Sequence, residues 1–91
     1  MDGLHVLVVV EEIEQARSAV ASAEATRVWT EREFERLKSL YDRDLVAAAD
    51  KDRAWQAFEV ARMQERTARE QLALVIAGPR SEQVEAARAE V

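Results

Sequence analysis

The 91-residue sequence has no cysteine, one proline, two glycines and one histidine. Without cysteine, the chain can form neither a disulfide framework nor a thiolate metal site. We interpret His5 as a solvated residue near the terminus, because one histidine does not make a transition-metal centre. We therefore expect no metal and no cofactor. Glycine and proline are also too few for the turns of a β-sandwich or an α/β fold.

Long hydrophobic runs and an excess of positive charge are missing as well. The apolar stretch Leu4–Val10 is too short to span a bilayer, and it lacks the basic start and cleavage site of a signal peptide. The net charge is -5 and the isoelectric point is near 4.9. Because no stripe of Lys and Arg could follow a phosphate backbone, we do not expect a nucleic-acid partner.

The residues that are abundant favour helix. Ala, Glu, Arg, Gln and Leu are strong helix formers, and the 34% of charged residues mixes both signs along the chain. Two series of residues, mostly apolar or small, recur at alternating steps of three and four, as in a coiled coil. The first series is Ile13, Ala16, Val20, Ala23, Arg27, Thr30, Phe34, Leu37 and Tyr41. The second is Ala47, Lys51, Ala54, Phe58, Ala61, Glu65, Ala68, Leu72 and Val75.

A chain reversal near residues 45–46 would bring the two series together as the seam of an antiparallel pair. In that register Phe34 meets Phe58, and the polar interruptions Arg27 and Glu65 also face each other. We predict an ion pair between these two, which fixes the register more than it adds stability, because a partly desolvated pair nearly breaks even. The alternative is that both charges point outward into solvent.

The predicted fold class is all-α: a long antiparallel two-helix coiled-coil hairpin, with a short third helix after a Gly-Pro break. Gly78 and Pro79 end the second helix, and Ser81 is expected to cap the third. The expected divisions are an apolar lead-in at 1–12, the hairpin at 13–77, the break at 78–81 and the start of a further helix at 82–91. Within the hairpin we expect helix 1 at about 11–43, the tip at 44–48 and helix 2 at about 49–77.

Two helices bury only one narrow seam, so an isolated monomer is marginal and partners are expected. Val28, Trp29, Leu40 and Trp55 lie off the seam and are candidates for contacts with other chains. The alternative is that they are single exposed apolar residues, which need no explanation. We do not expect an enzyme, because a two-helix seam has no interior in which catalytic groups converge.

Residues 13–91 resemble the α-helical hairpin of HlyD-type periplasmic adaptor proteins, also called membrane fusion proteins, of Gram-negative efflux pumps and secretion systems. The resemblance is carried by Leu37–Val46 at the turn, by Gln71–Leu74 and by Ala77–Arg88. It implies a hairpin that projects through the periplasm, assembles side by side with its copies and docks its tip onto a TolC-type outer-membrane duct.

The resemblance also implies domains that this chain does not show. In the family, the full-length protein is attached to the inner membrane, contacts an inner-membrane transporter and forms an oligomer, for which we expect a hexamer. The lipoyl and β-barrel segments that normally flank the hairpin are not among the 91 residues, and neither is a targeting signal. We therefore expect either a piece of a longer protein or a shortened relative.

The family's docking motif is an Arg, a Leu four residues later and a Ser seven residues after that. By resemblance, Arg36 and Leu40 fill the first two positions, whereas Ala47 stands at the third. The implied partner-binding tip comprises these three residues and Arg43, with Arg36 contacting polar groups of the duct and Leu40 filling a small groove. The alternative is an ordinary helix surface. The family's turn often has Gly where this chain has Asp44.

Two alternatives follow from this tip. Without the Ser, only Asp50 of a capping box is present, and the turn has no strong helix breaker. The chain could then straighten into one long helix that pairs with a second copy.

In function, the alternative to an adaptor is a structural or oligomerising coiled coil without a duct partner. An interfacial membrane helix is disfavoured, because Arg and Glu surround the apolar stripe almost evenly.

Overall fold

The structure is an elongated helical hairpin. The computed structural model describes the backbone of residues 2–89 and the side chains of residues 3–4 and 6–78. Helix α1 spans Asp2–Asp42, helix α2 spans Ala48–Ala89, and the five residues between them reverse the chain. The described residues contain no strand, and the molecule measures 63 × 32 × 13 Å. The all-α hairpin predicted from the sequence is confirmed.

Helix α1 begins at Asp2, nine residues before the start near residue 11 that the sequence predicts. The apolar lead-in at 1–12 is helical from Asp2 onward and forms the first turns of α1. Valine is only a mildly poor helix former, and adding residues to an existing helix is far easier than starting one, so the Val-rich stretch continues the helix. The 41 residues of α1 give a rod of roughly 60 Å, longer than the roughly 50 Å that the expected helix 11–43 would give.

The seam lies where the three-and-four spacing places it. Every α1 seam residue from Ile13 to Leu37, and every α2 seam residue from Lys51 to Val75, is buried or half-buried. Only the outermost members, Tyr41 and Ala47, are exposed. The buried residues are small or medium in size: Ala16, Val20, Thr30, Ala54 and Ala61. The two helices therefore approach closely along a narrow seam.

Thr30 is the buried polar residue of the described seam. Its hydroxyl donates to the backbone carbonyl of Thr26 at 2.8 Å and lies 3.0 Å from that of Arg27. The hydroxyl is thus satisfied within its own helix, so its burial leaves no unpaired polar group.

Helix α1 ends in a Schellman motif. The Leu45 N–H donates to the carbonyl of Leu40, and the Asp44 N–H donates to that of Tyr41, both at 2.9 Å. The motif needs one residue in the left-handed conformation, and Asp44 supplies it with φ of 59°. The chain therefore reverses without the glycine that commonly occupies this position, and the structure is a hairpin rather than a straightened helix.

A contact across the turn ties the two helices together. The Lys51 ammonium lies 4.1 Å from the centre of the Tyr41 ring, at the distance of a cation–π interaction. Tyr41 is in the last turn of α1 and Lys51 in the first turns of α2, so this contact exists only when the chain is reversed.

The Gly-Pro break is a single-residue kink. Gly78 has φ of 20° and ψ of -114°, whereas α2 is helical on both sides of it and continues to Ala89. This break is narrower than the expected 78–81, because Pro79 can occupy the first position of a helix, where its missing N–H is not needed. The expected Ser81 side-chain cap, the His5 side chain and residues 90–91 lie outside the described part.

Replacing Asp44 by Gly should stabilise the hairpin. Gly adopts the left-handed conformation without the penalty of about 1 kcal/mol that a side chain carries, although part of this gain is lost to the flexibility of the unfolded chain. We expect Asp44→Gly to raise the free energy of unfolding by roughly 0.5 kcal/mol, measured by urea unfolding followed by circular dichroism. The control Asp42→Gly, at the last residue of α1, should lower it, because Asp42 is helical and gains nothing from the freedom of Gly. Equal effects at the two positions would contradict this account of the turn.

Candidate partner-binding surfaces

Three aromatic rings join the helices between the tip and the middle of the hairpin. Phe34 stacks on Phe58 with ring centroids 6.2 Å apart, and Trp55 lies 5.1 Å from Phe34 and 6.0 Å from Phe58. These separations are typical of favourable aromatic pairs. Trp55, expected to contact other chains, is 46% exposed but covers one edge of the seam. The spacing of the seam does not predict this role, because Trp55 lies beside the seam positions and reaches over them.

A group of charged side chains links the two helices on the side of the aromatic cluster that is farther from the tip. We call it the ionic row; its members are Glu24, Arg27, Glu31, Glu65 and Arg69. Arg27 Nε donates to Glu65 Oε2 at 3.1 Å, and Arg27 Nη1 donates to Glu31 Oε2 at 2.9 Å. Arg69 extends the row, since it lies 3.9 Å from Glu65 and 3.5 Å from Glu24 on the other helix. The ion pair between Arg27 and Glu65 is therefore present where the seam register places it, with a second pair linking the helices beside it.

The ionic row is partly shielded from water. The side chains of Arg27 and Glu65 are 27% and 17% exposed. Hydrogen bonds to Glu31 and then to Glu65 raise the pKa of the Arg27 guanidinium above its ordinary value. A partly desolvated, hydrogen-bonded pair is costly to break on one side, so it disfavours any register in which one partner faces an alanine. Oppositely charged residues flanking the seam are the sequence signal that could have identified Glu24, Glu31 and Arg69.

The four residues of the implied partner-binding tip lie at one end of the hairpin. Arg36 is exposed near the end of α1, Leu40 is half-buried in its last turns, Arg43 is exposed in the turn, and Ala47 is exposed just before α2. The Arg43 N–H donates to the Leu40 carbonyl at 3.2 Å. Leu45, which the sequence analysis did not select, adds a side chain that is 59% exposed.

Arg36 is not free at this tip, because it forms a two-pronged ion pair with Glu33. Arg36 Nε donates to Glu33 Oε2 at 3.3 Å, and Arg36 Nη2 donates to Glu33 Oε1. These hydrogen bonds lower the pKa of the Glu33 carboxyl and raise that of the Arg36 guanidinium. Glu33 is 33% exposed and Arg36 59%. Glu33 is not among the residues that the sequence predicts for the tip.

Ala47 occupies the N-cap of α2. Its carbonyl accepts from the N–H groups of Asp50 at 3.1 Å and Lys51 at 3.4 Å. Asp50 stands where the acid of a capping box would be, but its carboxylate accepts from Arg53 Nη2 at 2.7 Å. Alanine has no oxygen to receive a backbone N–H, and it costs about 1 kcal/mol relative to Ser at an N-cap.

The described side chains form no group of three or more His, Cys, Asp or Glu residues that could hold a metal ion. Neither helix, over the residues described, has a stretch both long and apolar enough to cross a membrane. An open groove runs along the ionic side of the hairpin beside Arg27, Phe58 and Arg62.

A long helical hairpin with a packed seam and a charged tip is the kind of module that adaptor proteins carry. The model of the YBHG alpha-helical hairpin domain, a domain of HlyD-like adaptor proteins, matches residues 6–91. The chain belongs to this family. Because the match begins at Val6, most of the apolar lead-in is part of the hairpin domain. Neither a curated protein nor a solved structure matches the chain.

A double-mutant cycle tests the ionic row. We expect Arg27→Gln and Glu65→Gln to show a favourable coupling, because each single change removes the bond between the helices and leaves the other, partly buried charge paired only within its own helix, Arg27 with Glu31 or Glu65 with Arg69. The matched control is the pair Arg66 and Glu70, whose side chains are 82% and 64% exposed and which lies within one helix. Urea unfolding of all variants gives both couplings. A coupling between Arg27 and Glu65 no larger than that of the control pair would remove their role in fixing the register.

Proposed function

We propose that this hairpin belongs to a periplasmic adaptor subunit of a tripartite efflux or type I-like secretion system, and that its tip binds a TolC-type outer-membrane duct. The adaptor would bridge that duct to an inner-membrane transporter through other domains. The observation that carries the proposal is the family match over residues 6–91, together with an exposed tip that has Arg36 and Leu40 at the spacing of the docking motif. The domain would act as a spacer and a contact surface, without catalysis or a cofactor.

The shape of the hairpin suits a spacer. Its long dimension is 63 Å, and one seam holds the two helices together along it. The aromatic cluster and the ionic row fix how the helices align, so the tip stays at a defined distance from the base. A spacer that bridges two membrane proteins needs this constancy of length, and it works in the periplasm, where we place the full-length protein attached to the inner membrane.

The chemistry of the tip suits a small contact with helix ends. Arg36 has a planar guanidinium that can donate several hydrogen bonds to carbonyls or carboxylates. Leu40 and Leu45 provide apolar surface next to it. Ala47 lacks the hydroxyl of the motif's Ser, so one polar contact of the family's docking pattern is missing. With so few groups, the tip of one copy would bind weakly, and several copies that bind at once would raise the overall affinity.

Self-assembly of copies would use the outer face of α1. A shallow groove there is lined by Ala21, Ala25, Val28 and Trp29. The two alanines allow another helix to approach closely, and Trp29 is 66% exposed. Trp29 precedes the end of α1 by several turns, roughly 20 Å, so we assign it to contact with a neighbouring copy and not with the duct. In the full-length protein, this assembly would form the expected hexamer.

The second candidate function is a structural coiled coil that oligomerises without a duct partner. Trp29 and its groove fit this role equally well, and Ala47 at the Ser position removes part of the docking pattern. The two functions differ in whether the tip residues matter, because oligomerisation through α1 does not need Arg36 or Leu40.

Changes at the tip should weaken duct binding and leave the helices intact. We expect Arg36→Glu or Leu40→Ser in the full-length adaptor to weaken binding to its outer-membrane duct at least about tenfold, because the loss of a hot-spot side chain costs about 2 kcal/mol or more. Surface plasmon resonance measures the binding, and circular dichroism measures the helicity.

The matched control for the tip is Arg62→Glu. Arg62 pairs with Glu59 three residues before it, as Arg36 does with Glu33, but it lies in the middle of the hairpin. This control should bind the duct like the unchanged protein. If the tip variants also bind normally, the duct is not the partner of this tip and the structural coiled coil is the better function.

Substitutions of the two tryptophans should have different effects, one on self-association and the other on the stability of the hairpin. We expect Trp29→Ala to weaken self-association in sedimentation experiments, with little change in the thermal unfolding of the hairpin, because Trp29 is exposed. Trp55→Ala should instead lower the stability by roughly 1–2 kcal/mol, because it removes two aromatic contacts. Self-association that is unchanged in Trp29→Ala would exclude this face of α1 from the contact between copies.

A further inference from the structure

The Arg36 guanidinium is directed away from the tip. In an α-helix the side chains lean toward the N-terminus, and residues three apart lie above one another on the same face. Glu33 lies one turn closer to the N-terminus than Arg36, whereas the tip lies at the C-terminal end of α1. The two hydrogen bonds from Arg36 to Glu33 therefore hold the guanidinium on the side that faces the base of the hairpin.

Glu33 is the better anchored member of this pair. Its side chain is 33% exposed beside the seam, whereas Arg36 is 59% exposed. The seam residue next to Glu33 is Phe34, which is fixed in the aromatic cluster. When the pair opens, the long Arg36 side chain is the part that moves. To reach an acceptor beyond the tip, it must exchange its bonds to Glu33 for bonds to the partner.

We propose that Glu33 competes with the partner for Arg36 and thereby lowers the affinity of the tip. This inference depends on the proposed docking of the tip. The two bonds to Glu33 must open before Arg36 reaches a partner, so the same cost is subtracted from the binding free energy of every acceptor. A partner that presents a carboxylate, or several acceptors at once, compensates this cost, whereas one neutral carbonyl does not replace two bonds to a carboxylate.

The chain contains a matched pair for the test. Glu59 and Arg62 have the same residue types and the same spacing, with Arg62 Nη1 2.8 Å from Glu59 Oε1. Their side chains are 38% and 57% exposed, close to the values for Glu33 and Arg36. Glu59→Gln therefore reproduces the loss of one negative charge and of one helical ion pair at a site that is not at the tip.

The experiment measures duct binding by the full-length adaptor carrying Glu33→Gln, Glu59→Gln, Arg36→Gln or the double change Glu33→Gln with Arg36→Gln. An exposed helical pair of this spacing is worth a factor of about two, so we expect Glu33→Gln to bind roughly two- to threefold more tightly. Glu59→Gln should bind like the unchanged protein. The double variant should bind like Arg36→Gln alone, because no guanidinium remains to be released.

Each other result has a defined meaning. Unchanged or weaker binding by Glu33→Gln, with Arg36→Gln still weakened, overturns the competition and leaves the docking tip in place. A gain that persists in the double variant also overturns it, because the gain would then come from net charge alone. If Arg36→Gln binds normally, the proposed docking contact itself fails and the inference fails with it.

Discussion

The hairpin depends on one seam of small side chains. Ala16, Ala54 and Ala61 are among its most buried residues, and no described large side chain is fully buried. Small residues let the helices approach closely, but successive alanine layers resemble one another. A slip by one heptad, about 10 Å along the axis, would therefore lose little packing in the alanine layers. The register has to come from the layers that differ from the rest.

Two layers supply that difference. The first is the aromatic cluster, in which Phe34 and Phe58 lie on the seam and Trp55 covers its edge. The second is the ion pair of Arg27 and Glu65, which forms a charged layer of the same seam. A heptad slip would place a charge against an apolar side chain and separate the rings. Such layers stabilise one alignment against its neighbours more than they stabilise folding as a whole. The position of the tip relative to the base follows from them.

In the turn, too, some features stabilise the reversed chain well and others poorly. Its backbone hydrogen bonds form a complete Schellman motif, although Asp44 is less suited than Gly to the left-handed position and Ala47 gives α2 no side-chain cap. The contact of Lys51 with Tyr41 offsets part of this loss. The seam, with its ionic row and aromatic cluster, therefore decides that the chain reverses, and the turn residues adapt to it.

These features differ in how far the sequence predicts them. The seam and the pair of Arg27 and Glu65 were predictable, because a heptad spacing is a regular local signal and charges at seam positions stand out. The start of α1 was not predictable, since the valines near residue 8 favour strand locally but continue a helix that is already formed. The ion pair of Arg36 with Glu33 was not predictable either. Glu followed by Arg three residues later also occurs at Glu59, so the spacing does not tell which pair is near a functional surface.

The proposed docking combines three features that each weaken the contact of a single copy. Ala47 removes a polar group, Glu33 holds Arg36 away from the tip, and Leu40 is half-buried, so only part of its side chain can reach a partner. A weak contact repeated around a ring gives a steep dependence on how many copies are aligned, because each added copy multiplies the overall affinity. Such a ring would bind firmly only when assembled. The register of each hairpin then matters for binding, since a copy whose tip is displaced along the axis contributes no contact.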